Sequence, residues 1–291
     1  MSSDARAAVK RVLFGSLESL WGAGHAAASR FSTREPRAWM TRGGQRILVV
    51  APHPDDETVG AGGVAALHVE AGDAVTMLIV TDGRASAAGG LEPEEMARRR
   101  HQEVLRAAGA LGVEDVIWLG LPQTDWTDTQ LAAALAPLAC AADIVYAPSC
   151  IDFHPDHHRV ARTLAHVAHP ELIVRIMELS VPLTAALVNL VARVERVAAR
   201  KDRALAAFET QRGNLAPIAR LARYRARRWR CRAAEVFWEL DAVRYARVTE
   251  ALTDERTRVF RGIRARPLLD PLCFIAGAKE RRRVVRIAEQ R

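Results

Sequence analysis

Two short apolar runs, each breaking off into histidines and aspartates, constrain this chain more than anything else in it. Arg46-Ile-Leu-Val-Val-Ala51 is aliphatic and β-branched, and Pro52 stops it. A run of that length and makeup reads as a strand buried on both faces. It leads directly into His53-Pro-Asp55-Asp56-Glu57. Ile144-Val-Tyr-Ala147 is a second such run, and Asp152-Phe-His154-Pro-Asp156-His157-His158 follows it. Open α/β sheets bind ligands in the crevice beyond the carboxyl ends of their strands, so two strand ends bring imidazoles and carboxylates to one place. Imidazole nitrogen and carboxylate oxygen suit zinc or a similar divalent ion. A catalytic zinc site keeps three protein ligands and leaves a position for water.

The remaining pattern supplies the sheet around these ends. Strands are expected at 74–80, 115–119 and 171–178, and helices at 58–72, 94–111, 129–141, 158–169 and across 184–212. Strand and helix alternating in this way imply right-handed crossovers. The expected fold is α/β, a Rossmann-like parallel sheet flanked by helices, with a helical C-terminal part. No Gly-x-Gly-x-x-Gly follows the first strand, so a dinucleotide is not supported. The small residues of 58–72 favour close helix–sheet packing, and His68 within it reads as structural. Residues 4–30 carry an amphipathic helical pattern, read as packing on the domain, with an interfacial membrane helix as the sharper alternative. Residues 31–45 read as a linker and 84–92 as a lid loop. The domain plan is therefore 1–43 (N-terminal helix and linker), 44–250 (main domain) and 251–291 (basic extension).

Charge and cysteine content narrow the setting. The 291 residues carry a formal net charge of +8, which suits an anionic partner or reflects an arginine-rich composition. Six arginines fall within Arg223–Arg232, interleaved with Tyr224 and Trp229. That stretch invites a nucleic-acid or phospholipid reading, with phosphate recognition on the substrate as an alternative, and a solvated helical face is the preferred reading. The four cysteines lack CxxC spacing, which fits a reducing cytoplasm. No secretory h-region is seen at the N-terminus, because Lys10, Arg11 and Glu18 interrupt it. No uncharged apolar run reaches the ~18 residues of a membrane span.

The first motif, Ala51-Pro-His-Pro-Asp-Asp-Glu57, and the second, His154-Pro-Asp-His157, resemble the two signatures of the PIG-L/LmbE-type zinc-dependent N-deacetylases. That family includes deacetylases of N-acetylglucosaminyl-phosphatidylinositol, of mycothiol and bacillithiol precursors, and of antibiotic sugars. The resemblance runs over roughly residues 44–240, judged by motif order and spacing. It implies a Zn2+-dependent hydrolase that removes an acetyl group from a 2-acylamino sugar conjugate. It assigns His53, Asp56 and His157 to the metal and Asp55 to the general base. His154 is implied to lie over the substrate carbonyl as an imidazolium, with Asp156 orienting it. Arg100 matches the family's Arg-x-x-Glu helix, where the arginine lies near the substrate. Asp125 is the nearest match to an acidic residue that holds sugar hydroxyls, and Asp152 stands where some members use tyrosine beside the oxyanion. Lys201, Leu205, Phe208 and Gln211 resemble a late family helix with a structural role.

The implied partner is an N-acetylated amino sugar, whose conjugate the basic charge allows to be anionic or lipid-linked. No nucleic acid is expected. The implied location is cytoplasmic, with contact at the inner membrane face allowed. A metal-dependent phosphoesterase and a non-catalytic protein that binds anionic surfaces are the rival readings.

Overall fold

The computed structural model describes residues 35–86, 90–123, 125–150, 152, 154–179, 183, 187–211, 226, 229–251, 286, 287 and 289. The amphipathic stretch 4–30, the tip of the 84–92 loop, much of 223–232 and most of the tail lie outside them. In chain order the elements are β1 (Arg37–Ala38), β2 (Arg46–Ala51), α1 (Asp56–Glu70), β3 (Ala74–Thr81), α2 (Pro93–Leu111), β4 (Asp115–Leu121), α3 (Asp128–Ala141) and β5 (Ile144–Ala147). Then come α4 (Pro155–Val167), β6 (Ile173–Met177), β7 (Leu190–Arg193), α5 (Ala198–Ala206), β8 (Ala234–Asp241) and α6 (Ala242–Glu250).

The eight strands form one sheet in the order β1-β7-β8-β6-β5-β2-β3-β4. Alternate residues of the central strands feed two cores. Leu48 and Val50 of β2, Leu78 and Val80 of β3, and Val145 and Ala147 of β5 pack with α3, α4 and α6. Ile47, Val49, Ala51, Met77, Ile79 and Tyr146 pack on the other face with α1, α2 and α5. Burial on both faces is why these strands are continuously apolar rather than alternating. From β2 the chain winds outward through β3 and β4, and from β5 it winds the other way through β6. The reversal between β2 and β5 opens a crevice at their carboxyl ends, where both His-Asp motifs emerge.

The C-terminal half departs from the expected pattern. Residues 190–193, expected to be helical, form β7. Three apolar residues followed by Arg193 are too short a run to show a period, and pairing with β1 and β8 decides the matter. β8 runs antiparallel to both β6 and β7. The sheet is therefore mixed, and the C-terminal part contributes strands as well as helices. β1 pairs with β7 inside the stretch expected to be a linker.

A buried polar network ties this side of the sheet together. The Tyr146 hydroxyl accepts from Trp39 Nε1 at 2.9 Å and Arg175 Nη1 at 2.7 Å. Its own hydrogen therefore goes to His68 Nε2, 3.0 Å away. His68 Nδ1–H then donates to Asp73 Oδ2 at 2.5 Å. Burial keeps this imidazole neutral and pushes its pKa from 6.5 down to about 4. A histidine whose folded pKa lies below its unfolded value weakens the fold as pH falls from about 6.5 toward 4. The loss is on the order of 3 kcal/mol at about 1.4 kcal/mol per unit. His68→Gln keeps one donor and one acceptor but cannot titrate. Its urea midpoint is expected to fall less than wild type's between pH 7 and pH 4, and parallel curves would refute this assignment.

Candidate metal centre and its surroundings

His53 follows the end of β2. Pro52 O accepts both the Thr81 amide and the Thr81 hydroxyl, which pins this turn against β3. Asp56 opens α1, where the positive end of the helix favours a carboxylate. Its Oδ2 accepts the His53 amide at 3.0 Å. Pro155 opens α4, and His154 caps it by accepting the Asp156 amide on Nδ1 at 3.2 Å. Proline at the first helical position needs no partner for a missing N–H, so the sequence His-Pro-Asp-His itself starts this helix and turns His157 into the crevice.

The motifs meet closely. His53 Nδ1 and His157 Nε2 are 3.2 Å apart, and Asp56 Oδ2 lies 3.3 Å from the first and 3.2 Å from the second. Behind the imidazoles stand two more carboxylates. Asp156 Oδ2 is 3.0 Å from His53 Nε2, and Asp152 Oδ2 is 3.0 Å from His157 Nδ1. Trp126 Nε1 donates to the other Asp156 oxygen at 3.3 Å. His154 completes a cluster of three imidazoles whose donor atoms lie within 4.8 Å of one another.

This donor set fits a divalent cation. His53 and His157 each direct one nitrogen at a buried carboxylate, as metal-ligating histidines commonly do. That leaves two facing lone pairs and a carboxylate oxygen converging on one point. Donors about 3.3 Å apart are what a tetrahedral ion with bonds of about 2.0–2.1 Å requires. The charges agree. Burial pushes the His53 and His157 imidazoles down, yet Asp56, Asp152 and Asp156 outweigh it and hold both above the ordinary histidine value. Burial likewise pushes the Asp56 carboxyl up, and the two imidazoles hold it well below the usual carboxylate range.

Asp55 stands beside this triangle with φ 133°, a left-handed conformation that costs a non-glycine residue about 1–3 kcal/mol. Its turn is braced from several sides. The Asp55 amide donates to Glu57 Oε2 at 3.0 Å, the Thr58 and Val59 amides donate to its carbonyl, and Arg100 Nη2 donates to its Oδ2 at 2.9 Å. Burial pushes the Asp55 carboxyl up to about 6 against the pull of Arg100. Glu57, buried beneath, is pushed up to about 7.

Several expected partners differ in the structure. Asp156 backs His53 rather than His154, whose Nδ1 is 3.8 Å from it, because that nitrogen is engaged in capping α4. His154 is expected as an imidazolium. Burial and the neighbouring His53 and His157 imidazoles instead push it to about 4, so it is neutral near pH 7. With Nδ1 accepting, its proton sits on Nε2. Asp152, expected beside the substrate, is fully buried behind His157. Arg100 is 4% exposed and clasps Asp55 and the Pro54 carbonyl. Asp125 is exposed, one residue before Trp126. His158 turns away toward the Asp152 carbonyl. Nothing in the sequence signals the contact of Trp126 with Asp156, whereas Glu57, which the sequence suggests as a cap of the following helix, lies inside the first motif and accepts the Asp55 amide.

This three-layer α/β protein carries a His/Asp donor set at the switch point of its sheet, a candidate metal site beyond the strand ends. Residues 48–168 match the family model described as PIG-L: GlcNAc-PI de-N-acetylase. It is 33% identical over 139 residues to a 1D-myo-inositol 2-acetamido-2-deoxy-alpha-D-glucopyranoside deacetylase of Kineococcus radiotolerans. That match covers 45% of this chain and 38% of the relative. The N,N'-diacetylchitobiose deacetylase of Pyrococcus horikoshii superposes with a TM-score of 0.61 at 20% identity, over 75% of this chain and 90% of that one. The 4-carboxy-2-hydroxymuconate hydratase GalB of Pseudomonas putida superposes with a TM-score of 0.56 at 19% identity, over 67% and 96%. These last two likenesses establish the fold, and the hydratase among them means that the fold alone does not set the reaction. Deacetylases of the family are metal-dependent. Among the described residues, no helix is long and apolar enough to cross a membrane.

Proposed function

We propose that this protein is a metal-dependent N-deacetylase that hydrolyses the acetamido group of a 2-acetamido sugar conjugate to acetate and a free amine. The observation that carries the reading is the triangle of His53 Nδ1, Asp56 Oδ2 and His157 Nε2, with carboxylates behind both imidazoles. These three residues would hold the ion, and zinc suits two nitrogens and one oxygen. When bound, it supplies Lewis acidity toward the amide carbonyl and a lowered pKa for water.

The chain's own groups divide the remaining work. Asp55 takes a proton from the attacking water and returns it to the departing nitrogen. Its carboxylate is aimed by Arg100 and its backbone by Glu57. His154, the most open of the three imidazoles with 31% of its side chain exposed, donates its Nε2–H to the oxygen that gains charge. Asp152 and Asp156 keep His157 and His53 turned toward the ion, and the exposed Asp125 is assigned to sugar hydroxyls by the family resemblance. The sugar class is supported by the relatives, which act on N-acetylglucosaminyl compounds. An anionic or lipid-linked conjugate accords with the net charge of +8. A cytoplasmic setting accords with the free thiols of Cys140, Cys150 and Cys231. A phosphoesterase using two metals is less well supported, since the described residues offer one such histidine cluster.

The test is release of primary amine and acetate from a panel of N-acetylglucosamine conjugates by the zinc-loaded protein and by protein stripped with chelator. Release that vanishes on stripping and returns with zinc is the expected result. A zinc-loaded protein inert toward every conjugate would move the reading to another metal-assisted addition of water.

A further inference from the structure

Helix α1 carries a charged pair against one rung of its ladder. In an α-helix the carbonyl of residue 59 and the amide of residue 63 are partners. Here Lys201 Nζ, from α5, donates to the Val59 carbonyl at 2.9 Å. Glu235, from β8, accepts the Gly63 amide on Oε1 at 2.7 Å and the Val64 amide on Oε2 at 2.9 Å. The two side chains meet at 2.5 Å, and Glu235 is only 6% exposed. Gly63 is what lets the carboxylate reach the backbone. A Cβ there would lie 2.7 Å from Glu235 Oε1 and 2.8 Å from Val194 Cγ1. The signs suit a helix treated as two pieces. The ammonium sits at the carbonyl end of the first piece, and the carboxylate sits at the amide start of the second. Side chains inserted at a rung are a recognised cause of a bend.

The first piece is the part that matters to the cleft, because it starts with Asp55 and Asp56. Asp56 Oδ2 must meet two imidazole nitrogens at 3.2–3.3 Å, while those imidazoles are carried by the β2 end and by α4. The direction of the first two turns of α1 thus sets whether the third donor arrives. Gly60 presses this piece against Met177 of β6, where a Cβ would lie 2.8 Å from the Met177 Cβ. The piece is therefore fixed from below by the sheet and from its far end by Lys201.

We propose that Lys201 and Glu235 are positioning residues for the metal centre: wedged into α1, they set the angle of its first two turns and thereby place Asp55 and Asp56. This rests on the metal reading above, and it goes beyond it by assigning a role to two residues that touch neither the ion nor the substrate.

The experiment measures zinc affinity of the full chain by competition with a chromophoric chelator, alongside circular dichroism. Lys201→Met is expected to bind zinc roughly 10–100-fold more weakly while keeping its secondary structure, the size seen when groups behind metal ligands are removed. Glu235→Gln, which keeps an acceptor for one of the two amides, is the gentler second variant and is expected to lose less in the same direction. His68→Ala, on the far piece of α1, is the control: it destabilises the fold but is expected to leave zinc affinity unchanged. Wild-type zinc affinity in both pair variants, with or without a lowered melting temperature, would overturn the proposal and leave the metal reading standing. A wild-type protein that binds no zinc would overturn both.

Discussion

Asp55→Asn is expected to slow amine release by about 10^2–10^4-fold, the usual contribution of a positioned general base, while zinc stays bound. The substitution keeps the shape of the side chain and an acceptor for Arg100 Nη2, which now lies 2.9 Å from Oδ2. It also leaves the backbone brace intact, because the Glu57 contact is made by the Asp55 amide rather than by its side chain. The φ of 133° does not argue against asparagine, which tolerates unusual positive φ better than most residues. What is lost is the ability to accept a proton. Burial raises the carboxyl to about 6, and a neighbouring cation would lower it, so the wild-type group is a base at neutral pH. The measurement is kcat with the best conjugate, with zinc content determined on the same sample. A zinc-loaded variant retaining most of its kcat would remove Asp55 from the chemistry and turn attention to Glu57, the other buried carboxyl in the turn.

The strand ends were legible because their chemistry is local. An aliphatic run that stops at Pro52 and hands over to His53, Asp55 and Asp56 is a strand and a ligand cluster within one stretch, and 144–158 repeats the arrangement. The pairing of carboxylates with imidazoles was not legible. It depends on where α4 starts: His154 caps the helix through Nδ1, and this frees Asp156 for His53. No spacing rule states that in advance. β7 and β8 were hidden for a different reason. Leu190–Arg193 is too short to show a period, and β8 shows its place only through its partners β6 and β7. The wedge in α1 was the least visible of all. Lys201, Glu235 and Gly63 come from three elements far apart in sequence, and each alone reads as an ordinary helix or strand residue.

The identity of the third metal donor separates two ways of using the same cleft. Three imidazoles, His53, His154 and His157, lie within reach of one another, yet Asp56 Oδ2 is the atom that closes the tighter triangle at 3.2–3.3 Å. His154 already spends Nδ1 on the Asp156 amide and is the most exposed of the three rings. Asp56→Ala is therefore expected to weaken zinc binding by more than the ~10–100-fold typical of a group behind a ligand, and to lose activity with it. The same variant leaves only the two facing imidazole nitrogens of His53 and His157 as donors, enough for weak residual binding at most. His154→Ala is expected to keep zinc and to lose about 10^2–10^3-fold in kcat, the effect of removing one donor to a developing oxyanion. KM for the conjugate should change little, because the lost hydrogen bond strengthens only as charge moves onto the oxygen. Zinc content, Kd and kcat measured for the two variants side by side decide the matter. Loss of zinc from His154→Ala with retention in Asp56→Ala would make the site a three-histidine centre. Asp56 would then become a partner of Asp55 in moving protons, and the oxyanion would need another donor.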